Sequence, residues 1–454
     1  CLESWLRFHK SMLIGELVPF AHEYLTNNPA AAERSLYSHV LVDEYQDLNK
    51  AEQEVASLLA DKGMIIAVGD DDQSIYSFKY AHPEGIAEYI EHAGTASHTM
   101  DECYRCPSTV VHMANSLISH NTNRIDQTRN LQVREENGAG EVQIYQFRLH
   151  EDEIKYVAEM TEKLIIDGTP PGEIIVLCQR RKYAKPLADL LLEKGVFVEF
   201  CYTEHLLDEK GAAEVMALLS LAADHYDRVS LRYLSGCRSN SYLAKQWSNL
   251  RDACDEEIAE PFDMLTEVAG GTKSIAGITN IVKRFKTIQL QLEGMIDATG
   301  KKLVEVIFSD CDDCPQFKAF VTLFSDNLGN PDPEELWNSL RDIIDQPESS
   351  DDVDSVRIMS LHKSKGLSSG VVVIMGLLDG LFPPRPNGIS EAELKRVEQE
   401  SRRLLFVGMT RVKARPDEGL PGKLVLTSSA QVTTSLALQC GLSGKKIGQV
   451  YSTK

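Results

Sequence analysis

The sequence predicts an α/β protein built on parallel sheets, with one long run of helices inserted into it. Short apolar runs alternate with amphipathic helix patterns, first in residues 36–73 and again in 151–200 and 355–428. Between these blocks, residues 208–347 show helix-like stretches and no convincing strand pattern. The simplest interpretation is an α/β lobe interrupted by a helical insertion.

The first block contains a strand, a helix and a second strand. HVLV at residues 39–42 has the length of a short buried strand, and MIIAVGDDDQ at residues 64–73 is a second apolar run that ends in acids. Asn49 with Glu52 fits a capping box at the start of a helix, and Gly63 is predicted to end that helix. This order predicts parallel neighbours with chemistry at the carboxyl ends of the strands.

The later blocks repeat the pattern. A helix over residues 151–168 precedes the strand EIIVLC, and a helix through LADLLLEKG precedes the strand VFVEF. Strands resume at SVRIMSL, GVVVIMG and KLVLTS. We therefore expect a first lobe in residues 1–97, a second lobe in 98–205 and 348–435, a helical insertion in 206–347 and a tail in 436–454.

Composition excludes several classes of protein. The 454 residues are 43% hydrophobic and 25% charged, which is typical of a soluble globular protein. No apolar run approaches the roughly 18–20 residues of a membrane span. The net charge of −21 argues against an indiscriminate nucleic-acid coat but permits a DNA motor, which needs only a locally basic groove. The first residue is Cys1 rather than Met, and this start favours a processed or truncated product.

Ten cysteines in a chain of this length do not indicate a disulfide scaffold. Cys103 with Cys106 and Cys311 with Cys314 have the spacing of zinc ligands. About 200 residues separate the two pairs, so we favour reduced thiols in a cytosolic protein over a zinc site.

Paired acids follow the first predicted strand. Asp43 at a carboxyl end can bind Mg²⁺, and Glu44 beside it can accept a proton from a water that attacks a γ-phosphate. The alternative for the pair alone is a solvated acidic turn, because adjacent acids are common.

An amide and two aromatics follow the second predicted strand. Gln73 can hydrogen-bond a terminal phosphate without adding charge, and Tyr76 and Phe78 can stack on bases. The alternative is that both aromatics belong to the core of a following helix.

Five motifs occur in a fixed order along the chain: DEYQD, GDDDQSIYSFKYA, YRCPSTVVHMAN, SVRIMSLHKSKGLSS and QESRRLLFVGMTR. This series resembles the UvrD/Rep family of superfamily 1 DNA helicases, and it runs from about residue 43 to residue 411. The resemblance implies two RecA-like lobes that clamp ATP, the first of them incomplete here, with an all-helical insertion in the second.

The resemblance also implies a role for each matching residue. In the nucleotide site, Asp43 would bind Mg²⁺ and Glu44 would act as the base. Gln73 would sense the γ-phosphate, and Arg105 and Arg411 would reach that phosphate from the other lobe. Tyr104 would stack on the adenine, and Gly366 would lie at the nucleotide. Single-stranded DNA would contact Tyr76, Phe78, Lys79, Ser360 and His362. We favour a packing role for the neighbouring Arg402 and Arg403.

The chain departs from the family pattern at three places. Ser368 stands where the family usually has the Glu of KGLEF, which removes a likely partner for the ribose. Lys79-Tyr80-Ala81 replaces the usual RGA, which affects the DNA path. The phosphate-binding loop G-x-x-x-x-G-K-[ST] is missing from the 42 residues before Asp43, and neither GGTKS nor SGKKIG supplies it. We therefore expect a helicase without its N-terminal part.

The sequence thus favours an ATP-dependent DNA helicase that moves 3′ to 5′ on single strands, with ATP and Mg²⁺ as cofactors. Its partners would be single-stranded and duplex DNA together with repair or replication proteins, in the cytoplasm. One alternative is a non-catalytic DNA-binding or regulatory module, although the retained site residues weigh against it. Another is the helicase subunit of a helicase–nuclease, but about 43 residues after Arg411 are too few for a nuclease domain.

Overall fold

The chain divides into two units. The computed structural model describes residues 6–77, 80–92, 94–202, 209, 211–237, 243–309, 311, 313–345, 354–386, 388–429 and 435–441. Phe78 and Lys79 therefore lie outside the described residues. One unit, here called the helical unit, comprises Cys1–Glu16 and Thr203–Glu348, and the other, the sheet unit, comprises Leu17–Tyr202 and Ser349–Lys454.

All strands of the described residues belong to the sheet unit. They are β1 (His39–Val42), β2 (Met64–Ala67), β3 (Glu102–Cys103), β4 (Gln132–Val133), β5 (Glu141–Gln146), β6 (Ile174–Cys178), β7 (Val198–Phe200), β8 (Val356–Met359), β9 (Val371–Met375) and β10 (Lys423–Ser428).

The helices before the insertion are α1 (Ile14–Asn27), α2 (Lys50–Leu59), α3 (Gly85–Ile90), α4 (Ser108–Ile118), α5 (His150–Ile166) and α6 (Arg181–Glu193). Those of the helical unit are α7 (Ala212–Ala223), α8 (Arg228–Arg232), α9 (Ala244–Glu257), α10 (Pro261–Gly270), α11 (Thr279–Met295), α12 (Gly300–Ile307), α13 (Pro315–Leu328) and α14 (Pro333–Asp345). The sheet unit resumes with α15 (Glu391–Met409) and α16 (Ser435–Gln439).

A six-stranded parallel sheet forms the centre of the sheet unit, with strand order β5-β10-β9-β6-β8-β7. Successive residues of a strand point to opposite faces. Leu177 and Val372 pack on one face with Leu405 of α15, whereas Val176 and Val373 pack on the other with residues of α5 and α6. Both faces are covered, which explains why these strands read as continuous apolar runs. The prediction of an α/β fold with parallel sheets is confirmed.

The first predicted strands form a separate two-stranded sheet. β1 and β2 are parallel, and Val42 lies opposite Ala67 at their carboxyl ends. The capping box of Asn49 and Glu52 is present at the start of α2, as the sequence predicts. The predicted helix end was wrong, because α2 ends at Leu59 and Gly63 lies in the turn before β2.

Three strands were not predicted: the two-residue strands β3 and β4, and the longer strand β5. β5, with the sequence EVQIYQ, pairs with β10 at an edge of the large sheet, and only its Val142 is buried. Its alternation of apolar and polar residues reflects this half-covered edge, and it lacks the continuous apolar signal of the central strands.

The helical unit is built around its own apolar core, which includes Trp247, Phe285 and Phe317. Its described residues contain no strand. Cys311 and Cys314 form a disulfide, where the sequence favoured free thiols. In the described part of the chain, no helix combines the length and apolar character needed to cross a bilayer.

Candidate active site

Gln46 joins the acidic ends of β1 and β2. It is fully buried; its Oε1 accepts a hydrogen bond from the backbone N of Asp70 at 2.9 Å, and its Nε2 donates to the carboxylate of Glu44. Glu44 has a φ of 51°, in the left-handed region that costs roughly 1–2 kcal/mol for a residue with a side chain. Strained residues of this kind cluster at functional sites. The parallel register therefore brings the two predicted acidic segments together and fixes the direction of Glu44.

Lys365 connects this acidic end to the motif SLHKSKG. Its Nζ lies 3.0 Å from Oε2 of Glu44, forms an ion pair with Asp47 and donates to the backbone O of Gln73 at 3.1 Å. The side chain of Lys365 is only 7% exposed and that of Asp47 17%, so water screens this pair weakly, whereas the 47% exposed Glu44 is screened more. Glu44 and Gln73, which the sequence assigned to one site, are thus held by the same lysine.

Arg411 reaches the same place from the end of α15. Its Nη2 lies 3.5 Å from Oε1 of Gln73, and its other hydrogen bonds go to the backbone O of Val407 and Leu367 and to the hydroxyl of Thr410. Burial, together with the nearby charge of Arg105, lowers the pKa of Arg411 to about 10. Among the described residues no carboxylate hydrogen-bonds this guanidinium.

Arg105 lies beside Arg411. Its Nη1 donates to the backbone O of Thr410 at 3.4 Å, and its own carbonyl accepts from the backbone N of Ala414 at 2.8 Å. Two guanidinium groups near one another repel, and an anion between them would relieve that repulsion. The arrangement can therefore bind a phosphate group close to Gln73.

Asp43 is exposed directly after β1, and its Oδ1 accepts from the backbone N of Glu44 at 2.8 Å. An exposed carboxylate at a strand end fits Mg²⁺, which takes oxygen ligands and usually keeps water and phosphate oxygens beside one or two carboxylates. Asp43 could hold such an ion with a nucleotide.

A second acidic group competes with Asp43 as a metal site. The described residues bring three acidic side chains within 4.8 Å of one another only at Asp70, Asp71 and Asp72. Arg124 binds Asp72 through two hydrogen bonds of 2.8 and 2.6 Å, and Arg129 lies 2.8 Å from Asp70. Because two arginines already pair with this cluster, Asp43 is the better candidate for a metal ligand. Neither cysteine pair takes part in a metal-like group within the described ranges.

Tyr104, expected to stack on the adenine, and Gly366, expected to lie at the nucleotide, are both exposed. Tyr104 is 62% exposed, and the guanidinium carbon of Arg134 lies 4.7 Å from the centre of its ring. Gly366 is exposed with a φ of 87°, a conformation that strains any residue with a side chain. Tyr104 offers an accessible aromatic surface, and Gly366 allows a tight turn directly after Lys365.

The predicted DNA contacts are only partly described. The hydroxyl of Tyr76 donates to the backbone O of His362 at 3.4 Å, and their ring centres lie 6.4 Å apart. Tyr76 is half-buried against the core of the large sheet, so packing accounts for part of its surface. Ser360 Oγ accepts from the backbone N of Lys363 at 3.3 Å. Burial lowers the pKa of His362, which favours its neutral form.

Arg402 and Arg403 pack between elements, in line with the packing role favoured for them. Arg403 is 7% exposed and donates to the backbone and side chain of Asn123. Arg402 donates to Gln439 and Asn121.

Sequence reasoning assigned no role to Gln46, Asp47 or Lys365. Gln46 and Asp47 lie inside DEYQD, where an amide between acids is a signal for a hydrogen-bond network. Lys365 is separated from Asp47 by 318 positions, so only the fold brings them together.

Comparison with known proteins identifies the family of this chain. Residues 99–415 match the UvrD-like helicase C-terminal domain, and residues 4–93 match the UvrD/REP helicase N-terminal domain. Together these matches cover most of the chain, including every residue named above for the site.

Three individual relatives are DNA helicases by name. The ATP-dependent DNA helicase PcrA of Staphylococcus epidermidis is 24% identical over 420 residues, which cover 88% of this chain and 56% of that protein. The ATP-dependent DNA helicase UvrD1 of Mycobacterium tuberculosis is 26% identical, with 89% and 57% covered. DNA helicase II of Escherichia coli is 24% identical, with 87% and 58% covered. The chain therefore spans a little over half the length of these relatives.

Proposed function

This chain belongs to the UvrD-like helicase family, and from that premise we propose that it works in an ATP-dependent DNA helicase. The protein would hydrolyse ATP with Mg²⁺ and move 3′ to 5′ along single-stranded DNA. It would unwind duplex DNA in repair or replication, with proteins of those processes as partners.

The observation that carries the proposal is the contact network around Gln73. Gln73 lies 3.5 Å from Arg411 through its side chain and 3.1 Å from Lys365 through its backbone, and Lys365 also pairs with Glu44. Acids from the strand ends of β1 and β2 thus meet cations from the large sheet and α15. Phosphoryl transfer depends mainly on positioning and on stabilising charge, which such a network supplies.

Each residue takes one task in this mechanism. Glu44, held by Gln46 and Lys365, accepts the proton of the attacking water. Arg105 and Arg411 stabilise the charge that develops on the γ-phosphate. Gln73 contacts that phosphate, and the gain or loss of this contact shifts Tyr76, which lies three residues further along the chain. Asp43 would hold Mg²⁺, which would neutralise charge on the phosphate oxygens.

A basic edge of the large sheet supports a DNA track. Arg180, Arg181 and Lys182 are exposed directly after β6, and Ser360 follows the neighbouring strand β8. Because β6 and β8 are parallel, the residues that follow them lie at the same edge. Exposed cations beside a hydroxyl suit the phosphates of a single strand, although the whole chain is acidic. Phe78 and Lys79 would extend this track by family resemblance.

The 454 residues contain no G-x-x-x-x-G-K-[ST] loop. Such a loop supplies the lysine for the β- and γ-phosphates and a hydroxyl for Mg²⁺. We propose that these residues alone do not hydrolyse ATP at a helicase-like rate.

The second candidate function is a non-catalytic DNA-binding or regulatory module. It is favoured by Lys365, which pairs with both Glu44 and Asp47. It predicts DNA binding with no ATP turnover in any form of the protein.

The experiment compares ATP hydrolysis, with and without single-stranded DNA, in the complete product of the gene and in its Glu44→Gln variant. The variant keeps the shape of Glu44 but removes the proton acceptor, so turnover should fall about 10²–10⁴-fold while ATP binding persists. Glu54→Gln on α2 is the matched control, since Glu54 is exposed and pairs with His22. Unchanged turnover in Glu44→Gln would remove Glu44 from the catalytic role. No hydrolysis by the complete product would favour the non-catalytic module.

A further inference from the structure

Two cysteines flank the residues that are expected to contact the nucleotide. Cys103 ends β3, Cys106 lies just before α4, and Tyr104 and Arg105 stand between them. The two thiols lie close enough together that each shifts the pKa of the other. The pair therefore encloses one of the two arginines of the candidate active site.

The two sulfurs differ in access to solvent. Cys103 is partly exposed, whereas Cys106 is completely buried behind it. A small oxidant can reach the first sulfur, and the second, three residues further along the chain, is close enough to influence the first and can react with the product. This is the arrangement of a reactive cysteine with a resolving partner.

Cys106 and Arg105 share one acceptor. Cys106 Sγ donates to the backbone O of Thr410 at 3.4 Å, and Arg105 Nη1 donates to the same oxygen at 3.4 Å. Thr410 immediately precedes Arg411. Loss of the hydrogen bond from Cys106 would therefore alter an oxygen that Arg105 contacts and that lies one residue before Arg411.

The chemistry of the other free cysteines makes Cys103 stand out. The neighbouring Cys106 lowers the pKa of Cys103 to about 6, so the thiolate of Cys103 predominates at neutral pH. Burial instead raises the pKa of Cys178, Cys201, Cys254 and Cys440 to about 12. Oxidation should therefore be selective for Cys103 among these thiols.

We propose that Cys103 and Cys106 form a reversible disulfide with hydrogen peroxide as the oxidant, and that this bond switches off ATP hydrolysis by displacing Arg105. The regulatory half of this inference rests on the proposed function. The disulfide itself does not.

The reaction takes two steps. The Cys103 thiolate attacks the peroxide O–O bond, which breaks as the S–O bond of a sulfenic acid forms, and the released hydroxide takes up a proton and leaves as water. The sulfur of Cys106 then attacks the sulfur of Cys103; the S–S bond forms, the S–O bond breaks, and a second water leaves with the proton of Cys106. The two thiols lose two electrons, and the peroxide gains them.

The disulfide removes the hydrogen bond from Cys106 to Thr410 and ties the backbone on both sides of Arg105. Small displacements of a positioning group reduce catalysis by as much as about 100-fold. We expect the oxidised protein to hydrolyse ATP at least about tenfold more slowly, with full recovery after a dithiol reductant.

The test treats the complete gene product with hydrogen peroxide and follows two quantities. Mass spectrometry of the peptide that contains residues 103–106 should show the loss of two hydrogens and protection from N-ethylmaleimide, both reversed by dithiothreitol. ATP hydrolysis stimulated by single-stranded DNA should fall and recover in parallel. Cys103→Ser and Cys106→Ser are the matched controls; each should hydrolyse ATP when reduced and lose sensitivity to peroxide.

Each outcome decides the inference. A sulfinic acid at Cys103 without a disulfide would overturn it, as would a disulfide that leaves hydrolysis within twofold of the reduced rate. Equal peroxide sensitivity of Cys103→Ser would place the effect elsewhere and also overturn it. Absence of hydrolysis before oxidation would instead contradict the proposed function, and mass spectrometry would still decide whether the disulfide forms.

Discussion

The β1–β2 sheet and the six-stranded sheet are both parallel, yet they are packed very differently. Leu41 of β1 is 73% exposed and Met64 of β2 is 56% exposed, whereas Val372 and Val373 of β9 are completely buried. The acids of the candidate active site follow the exposed strands. The arginines belong to segments packed against the buried sheet, and Arg411 itself is only 2% exposed.

The two sheets therefore position their parts of the site by different kinds of contact. The large sheet and α15 hold the arginines in a fixed frame, because apolar side chains fill both of its faces. The acidic end has few apolar contacts in the described residues, so its position depends on polar links such as Lys365 and the turn at Asp71–Gln73.

The largest expected effect is at the turn that links the two regions. Asp72 is buried and binds Arg124 through two hydrogen bonds; burial raises the pKa of Asp72 and the charge of Arg124 opposes that rise. Arg124→Met would leave the carboxylate buried without its cation and should cost about 3–5 kcal/mol of unfolding free energy.

Urea unfolding followed by circular dichroism measures this cost. Arg385→Met is the control, since Arg385 is 61% exposed and its partner Asp379 lies 3.9 Å away, so it should change stability by less than about 0.5 kcal/mol. Equal effects of the two substitutions would show that the turn does not anchor the exposed sheet.

The next effect compares one substitution in the two sheets. Leu177→Ala in β6 removes a fully buried side chain and should cost about 2–5 kcal/mol. Leu41→Ala in β1 removes an exposed one and should cost less than about 0.5 kcal/mol. The same unfolding measurement applies to both, and a large loss in Leu41→Ala would mean that β1 is covered in the protein in solution.

The smallest effect concerns acid stability. Although burial raises the pKa of Glu173, hydrogen bonds from Arg415 and the backbone N of Gly370 lower it below its ordinary value of 4.5. A carboxyl with a lowered pKa stabilises the fold fully above 4.5, and that contribution is lost as pH falls through the folded pKa. Glu173→Gln should lose about 1 kcal/mol at pH 7 and show a flatter decline below pH 4.5.

Thermal unfolding between pH 3 and pH 7 tests this prediction. Glu91→Gln is the control, because Glu91 is an exposed carboxyl at the end of α3. Parallel pH curves for wild type and Glu173→Gln would contradict the role given to the Arg415 pair.

The sequence predicted most accurately the elements whose bounds depend on residues close together in the chain. β1 and β10 have the predicted bounds, and the capping box at Asn49 fixes the start of α2. The end of α2 was misjudged because Gly63 serves the turn into β2 rather than the helix. β5 was missed because an edge strand covered on one side lacks a continuous apolar run.

For the site, the sequence could predict the positions of residues next to predicted strands, but not contacts between segments far apart in the chain. Asp43, Glu44 and Gln73 follow strands that the pattern already made parallel neighbours, so their convergence was predictable. Gln46 could be recognised only after its buried bridge to Asp70 was known. Lys365 and the shared acceptor at Thr410 are properties of the folded chain, since their partners lie about 300 residues apart. The roles of these residues in hydrolysis stay predictions.

The most direct test of the account is the rate of ATP hydrolysis, stimulated by single-stranded DNA, in the Arg411→Lys variant of the complete gene product. Lysine keeps the charge but loses the planar fork that reaches Gln73 and a phosphate together. The account predicts a fall in kcat of at least about 100-fold with ATP binding retained, while Arg396→Lys on the exposed side of α15 stays within about twofold of wild type. A kcat for Arg411→Lys equal to that of Arg396→Lys would contradict the claim that arginines held by the large sheet complete the acidic site.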